Sequence, residues 1–77
     1  MPTVHRAFGF RFMIYVNDHA PAHVHAKRKG AEAKIGLGRK PKLHWVVGID
    51  KATMARLMAE VEAQRARLRK EWKRIHG

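Results

Sequence analysis

The chain has 77 residues and no cysteine, with 17 lysines and arginines against 6 aspartates and glutamates, a formal charge of +11. That length suits one domain, 1–77, with a thin core, and without cysteine there is no disulfide, thiolate metal site or thiol nucleophile. The charge exceeds what solubility requires and points to a polyanionic partner, nucleic acid foremost. No apolar run is long enough to span a bilayer and the first residues lack a signal-peptide core, so a soluble cytoplasmic protein with no membrane partner is expected.

Thr3 to Phe8 reads as a short lead-in strand and Gly9 as a turn. Phe10, Phe12, Ile14 and Val16 then alternate with Arg11, Met13 and Tyr15, the period of a strand over 10–16. Asn17-Asp18-His19-Ala20-Pro21 breaks it, because Asn, Asp and Pro favour turns and Pro21 cannot donate to a ladder. Strands over 23–28 and 31–37 follow, joined at Lys29-Gly30. That turn sets Lys27 opposite Glu32, His25 opposite Lys34, Ala26 opposite Ala33 and Val24 opposite Ile35, so polar meets polar on one face and apolar meets apolar on the other.

Gly36, Gly38 and Pro41 mark a loop carrying Arg39, Lys40 and Lys42. Residues 43–47 read as a further strand or a docking segment, with Leu43, Trp45 and Val47 on its apolar side. The last third predicts one helix over 51–75, capped by Asp50 and stopped by Gly77. Its stripe is Met54, Leu57, Met58, Val61, Leu68, Trp72 and Ile75, interrupted at Arg65. The expected fold is α+β: a three- to four-stranded antiparallel sheet with one long C-terminal helix packed on one face.

The helix should cover Phe10, Phe12, Ile14, Val16, Val24, Ile35 and Leu37. The opposite face then carries Arg11, Tyr15, His23, His25, Lys27, Glu32 and Lys34. His23 and His25, two apart on a strand, point the same way with Cα atoms about 7 Å apart. With Tyr15 they supply proton donors and acceptors, and Arg11, Lys27 and Lys34 supply cations, which are the parts of a metal-independent ribonuclease. The same histidines also suit phosphate binding without turnover, or a structural role. His19, His23 and His25 form a three-histidine metal alternative. The neighbouring cations oppose it, and no cofactor is expected. Arg39, Lys40 and Lys42 are further candidates for phosphate contact. Trp45 and Trp72 offer stacking surfaces for bases, but each sits on its element's apolar side, which favours core packing. His5, His44 and His76 stand isolated.

Taken together, the Met1-Pro2-Thr3-Val4 opening, Gly9-Phe10-X-Phe12, and Tyr15-X-Asn17-Asp18-His19-X-Pro21-X-His23-Val24-His25 resemble the small bacterial proteins of domain-of-unknown-function family 4160. Ala31-Glu32-Ala33-Lys34-Ile35 and the late Trp72 extend the resemblance over nearly the whole chain. Two departures are Ala20 and Ala22, where the family often has further prolines, and the basic rather than acidic loop after Leu37. The resemblance implies a component of a toxin–antitoxin-type pair, with His19, Pro21, His23 and His25 as motif residues and no established activity.

The expected function is therefore a basic nucleic-acid-binding component of toxin–antitoxin type, RNA ahead of DNA, with ribonuclease activity left open. The alternatives are a non-enzymatic module for DNA, RNA or a small acidic antitoxin-like partner, and a histidine-based metal-binding protein. The thin core and the strand edges leave a homodimer open.

Overall fold

The computed structural model describes residues 3–77; Met1 and Pro2, which open the family-like motif, lie outside the described residues. Five strands, β1 (Thr3–Ala7), β2 (Phe10–Met13), β3 (His23–Arg28), β4 (Ala31–Leu37) and β5 (Pro41–Val47), precede two helices, α1 (Lys51–Ala63) and α2 (Arg65–His76). The strands pair with their chain neighbours into one antiparallel sheet of order β1-β2-β3-β4-β5. The α+β class is as expected; the sheet has five strands rather than three or four, and two helices replace the single one.

Each difference has a local cause. Phe8 and Gly9 both take positive φ, 55° and 78°, the backbone of a two-residue hairpin turn, so the lead-in segment becomes a full partner of β2. The Lys29-Gly30 hairpin keeps the register expected from its side chains: Val24 faces Ile35, His25 faces Lys34, Ala26 faces Ala33 and Lys27 faces Glu32. The helix breaks at Gln64 (φ −102°, ψ 8°) without proline or glycine. The break falls beside Arg65, where the apolar stripe has its gap between the buried Val61 and Leu68. A small reorientation there lets α1 pack on β5 and α2 on β4.

The core lies between one sheet face and the helices. Phe10, Phe12, Ile14, Val24, Ile35 and Leu37 meet Met54, Leu57, Val61 and Leu68. Val16 is a correction: the strand over 10–16 ends at Met13, and Val16 is 70% exposed. The cause is a turn in which Tyr15 N–H donates to Asp18 Oδ2 at 3.0 Å and Asp18 N–H donates back to Tyr15 O at 3.0 Å. That turn lifts the chain off the sheet before Val16.

Trp45 is a second correction. His44 is an extra residue in β5, so Ile35 pairs with Leu43 while Lys34 pairs with Trp45. A bulge of this kind reverses the alternation of sides. Leu43 packs against the core, and Trp45, expected beside it, is 41% exposed on the face away from the helices.

Candidate functional site

The sheet face opposite the helices is only partly open. The loop of residues 14–22 folds over one end of it, and the Tyr15 hydroxyl donates to the Met13 sulfur at 3.7 Å, burying Met13 completely. Under this loop lie His23 and His25, side by side on β3, with rings 5.1 Å apart in an edge arrangement. Alternation on β3 puts both on the side opposite Val24, as expected. Neither is broadly exposed: His23 is 4% accessible.

Asp18 reaches both rings from the loop. Its Oδ2 is 3.4 Å from His23 Nε2 and its Oδ1 is 3.5 Å from His25 Nε2. On the far side of His25, Glu32 Oε2 is 3.4 Å from Nδ1, placed there by the strand next door. His23 Nδ1–H donates to the Pro21 carbonyl oxygen at 2.9 Å, so in the neutral ring Nε2 carries the lone pair. His25 is partly buried, and its two ring nitrogens, both shielded from solvent, make no hydrogen bond. Burial pushes the Asp18 carboxyl up. The Tyr15 N–H and the charge available on His23 and His25 outweigh that and leave it below the ordinary carboxylate value. Asp18, His23 and His25 place one donor atom each within 4.8 Å of one another, the residues here that could hold a metal.

His19 is exposed and lies outside this group of donors; the neighbouring Asp18 takes the place the three-histidine alternative gave it. Tyr15 flanks the cluster, its ring 5.1 Å from His25. The bulge brings Trp45 to 6.3 Å from the same ring. Arg11 and Lys27 are exposed cross-strand partners. Lys34 is half-buried between His25 and Trp45. This face therefore carries two carboxylates among its cations. Arg39 and Lys40 sit apart from it in the β4–β5 turn, whereas Lys42, opposite Gly36 and so in line with His23, lies at its end.

The strongest concentration of charge is elsewhere. α1 holds Lys51 and Arg56 against Glu60 and Glu62, whereas α2 holds Arg65, Arg67, Arg69, Lys70, Lys73 and Arg74 against Glu71 alone. Arg65 Nη1–H donates to Gly38 O at 3.2 Å and Arg69 donates to Leu37 O, tying α2 to the β4–β5 turn. Between these elements runs a groove of ≈ 830 Å³ whose walls include Pro21, Gly38, Arg65, Arg69, Lys70, Trp72, Lys73 and His76, with no aspartate or glutamate side chain. Trp72 stacks on His76 at 3.9 Å and 28° and lies 5.1 Å from His23. A row of rings thus runs from the groove into the imidazole cluster.

Asp18, the groove and the role of His76 were missed from sequence. An acidic residue shortly before His-X-His, on a loop that must return to the same strand, was the available signal for Asp18. The groove had none, because it is assembled from α2, the Pro21 loop and the β4–β5 turn.

Among the described residues no helix is long and apolar enough to cross a membrane. The molecule is thus an α+β protein of one antiparallel sheet and a helical layer, with a basic groove beside a largely buried aspartate–histidine cluster. By sequence, residues 9–73 match the profile of the family described as Domain of unknown function (DUF4160), and the chain belongs to that family. No curated protein and no solved structure matches it.

Proposed function

We propose that the protein binds single-stranded nucleic acid, RNA in the first instance, along the groove beside α2. The observation that carries this reading is the composition of the groove: Arg65, Arg69, Lys70, Lys73 and the Trp72 indole line one surface that carries no acidic side chain. Cations track a phosphate backbone, and an aromatic face accepts an unpaired base with little regard to its identity. Arg39 and Lys40, beside Gly38, extend the charge beyond the groove. The face bearing Arg11, Lys27 and Lys34 is the weaker candidate, because Glu32 and Asp18 share it.

The setting we propose is the toxin–antitoxin type that the family resemblance suggests, in which a small acidic partner protein would compete for the same cations. Binding rather than turnover is the reading that the geometry favours. His23 and His25 lie under the Asp18 loop, and a metal-independent ribonuclease needs its imidazoles in reach of a 2′-hydroxyl.

The test is fluorescence anisotropy with a labelled single-stranded RNA, a single-stranded DNA and a duplex DNA, with EDTA present, over a range of salt. RNA affinity should fall steeply with salt. Lys70→Ala and Lys73→Ala should each reduce the slope of log K against log salt by about one, and Arg11→Ala should leave it unchanged. RNA should be recovered at full length. Salt-independent affinity, or full binding by the Lys70→Ala/Lys73→Ala double variant, would reject the groove.

A further inference from the structure

We infer that Asp18, His23 and His25 form a binding site for one divalent transition-metal ion of the zinc class, with a coordination position left for solvent. The inference does not depend on the nucleic-acid reading.

Ring orientation comes first. A metal-binding imidazole commonly donates its other N–H to a backbone carbonyl or a carboxylate, which fixes the tautomer and aims the lone pair. The first is made at His23, and at His25 a carboxylate lies nearby without a hydrogen bond. His23 Nδ1–H is held by Pro21 O at 2.9 Å, and His25 Nδ1 faces Glu32 Oε2 at 3.4 Å. In each ring Nε2 remains, and each Nε2 faces a different oxygen of Asp18. Two lone pairs and an anion converging in a buried place require a proton or a cation among them.

The spacing admits a small cation, since one donor atom from each residue lies within 4.8 Å of the other two. The Nε2-to-oxygen separations are 3.4 and 3.5 Å, too long for good hydrogen bonds. Donors at about 2.1 Å from a tetrahedral zinc ion lie about 3.4 Å from one another. Two imidazoles and one carboxylate are a borderline donor set that suits zinc, cobalt or ferrous iron and does not suit calcium or magnesium. Three protein donors are the number found in zinc sites that keep an exchangeable water.

Charge is less adverse than with three histidines. The neighbouring lysines and Arg11 oppose a dication when His19, His23 and His25 are taken as the ligands. With Asp18 as ligand and Glu32 behind His25, two carboxylates offset much of that repulsion, although Lys34 still stands opposite His25. Lys27 stands opposite Glu32 in the register, and His25, with neither ring nitrogen hydrogen-bonded, gains a partner on each side. The bound ion would also pin the 14–22 loop to β3.

The experiment is titration of the metal-free protein with Co²⁺, read by visible absorption, followed by displacement with Zn²⁺. One equivalent should bind with the intense bands of a low-coordinate site, and one equivalent of Zn²⁺ should abolish them. Asp18→Ala, His23→Ala and His25→Ala should each weaken binding at least 100-fold, Glu32→Gln about 10- to 100-fold, and His19→Ala not at all. Circular dichroism checks that each variant folds, with His23→Gln as the smaller change. In the wild-type protein, Zn²⁺ should shift the Nε2 resonances of His23 and His25 and leave both Nδ1 atoms protonated. Absence of saturable one-to-one binding, unchanged affinity in the His23→Ala/His25→Ala double variant, or loss of binding on His19→Ala would overturn the site.

Discussion

Trp45 stands across the β4–β5 ladder from Lys34, with its indole 6.3 Å from the His25 ring and its back to the helices. It is there because His44 is bulged out of register. Deleting His44 would leave Leu43 and Trp45 as successive residues opposite Ile35 and Lys34, each on its present face. That deletion should shift the melting temperature by only a few degrees, whereas deleting Leu43 instead would set His44 opposite Ile35 on the core side and lower it by about 10 °C or more. Thermal unfolding followed by circular dichroism separates the two.

His5 links three elements. Arg67 Nη2–H donates to His5 Nδ1 at 2.6 Å, and His5 Nε2–H donates to Glu60 Oε2 at 2.6 Å. The edge strand β1 is thereby tied to both helices, and the ring also packs beside Phe12 at 5.3 Å. His5→Ala should destabilise the fold by about 1–2 kcal/mol. Arg67→Ala in the His5→Ala background should add less than it does alone, a non-additivity that urea denaturation of the double-mutant cycle would measure.

Gly48 has φ of 70°, and a Cβ there would strike the carbonyl oxygen of Gly30 in the neighbouring hairpin. Gly48→Ala therefore combines a left-handed backbone with a clash against main chain that cannot swing aside. It should destabilise by about 2–3 kcal/mol. Gly38→Ala, where a Cβ meets nothing within 4 Å, should change stability by no more than about 0.5 kcal/mol. Chemical denaturation of the two variants makes the comparison.

Asp50 caps α1 by accepting the Thr53 N–H at 3.1 Å. Hydrogen bonds from Thr53, side chain first and backbone second, hold its carboxyl below the ordinary value. A carboxyl depressed in the folded state stabilises above its unfolded value of about 3.9 and loses that contribution as pH falls through the folded value. The melting-temperature gap between wild type and Asp50→Ala should be about 5 °C near pH 6 and should narrow steadily below about pH 4. A gap that widens towards acid would contradict this sign.

Much of the frame was legible in the sequence. Lys29-Gly30, with opposite charges at Lys27 and Glu32, was enough to place β3 against β4 in the register observed. Asp50, the helical stripe and Gly77 marked the helical region. Legibility failed wherever one residue breaks a period. Arg65 interrupts the stripe, and the chain divides into two helices there. His44 shifts a strand by one, and Trp45 changes faces.

The candidate site was half legible. His-X-His on a strand settles that His23 and His25 share a side, since alternation is a property of the local backbone. Which partners they meet depends on where a loop of the fold comes to rest. Asp18 displaced His19 from the cluster because its carboxylate, anchored by the Tyr15 N–H, turns towards the sheet while its neighbour turns to solvent.

The sequence by itself determined what short-range periodicity and composition control: the net charge, the β3–β4 pairing, the common side of the two imidazoles and the start of the helical region. Tertiary structure alone decided that Asp18 joins Glu32 around His25, that α2 and the β4–β5 turn enclose a groove without an acidic side chain, and that Trp45 leaves the core. Those outcomes depend on contacts between residues far apart in the chain, which arise only when elements pack and which no local pattern encodes.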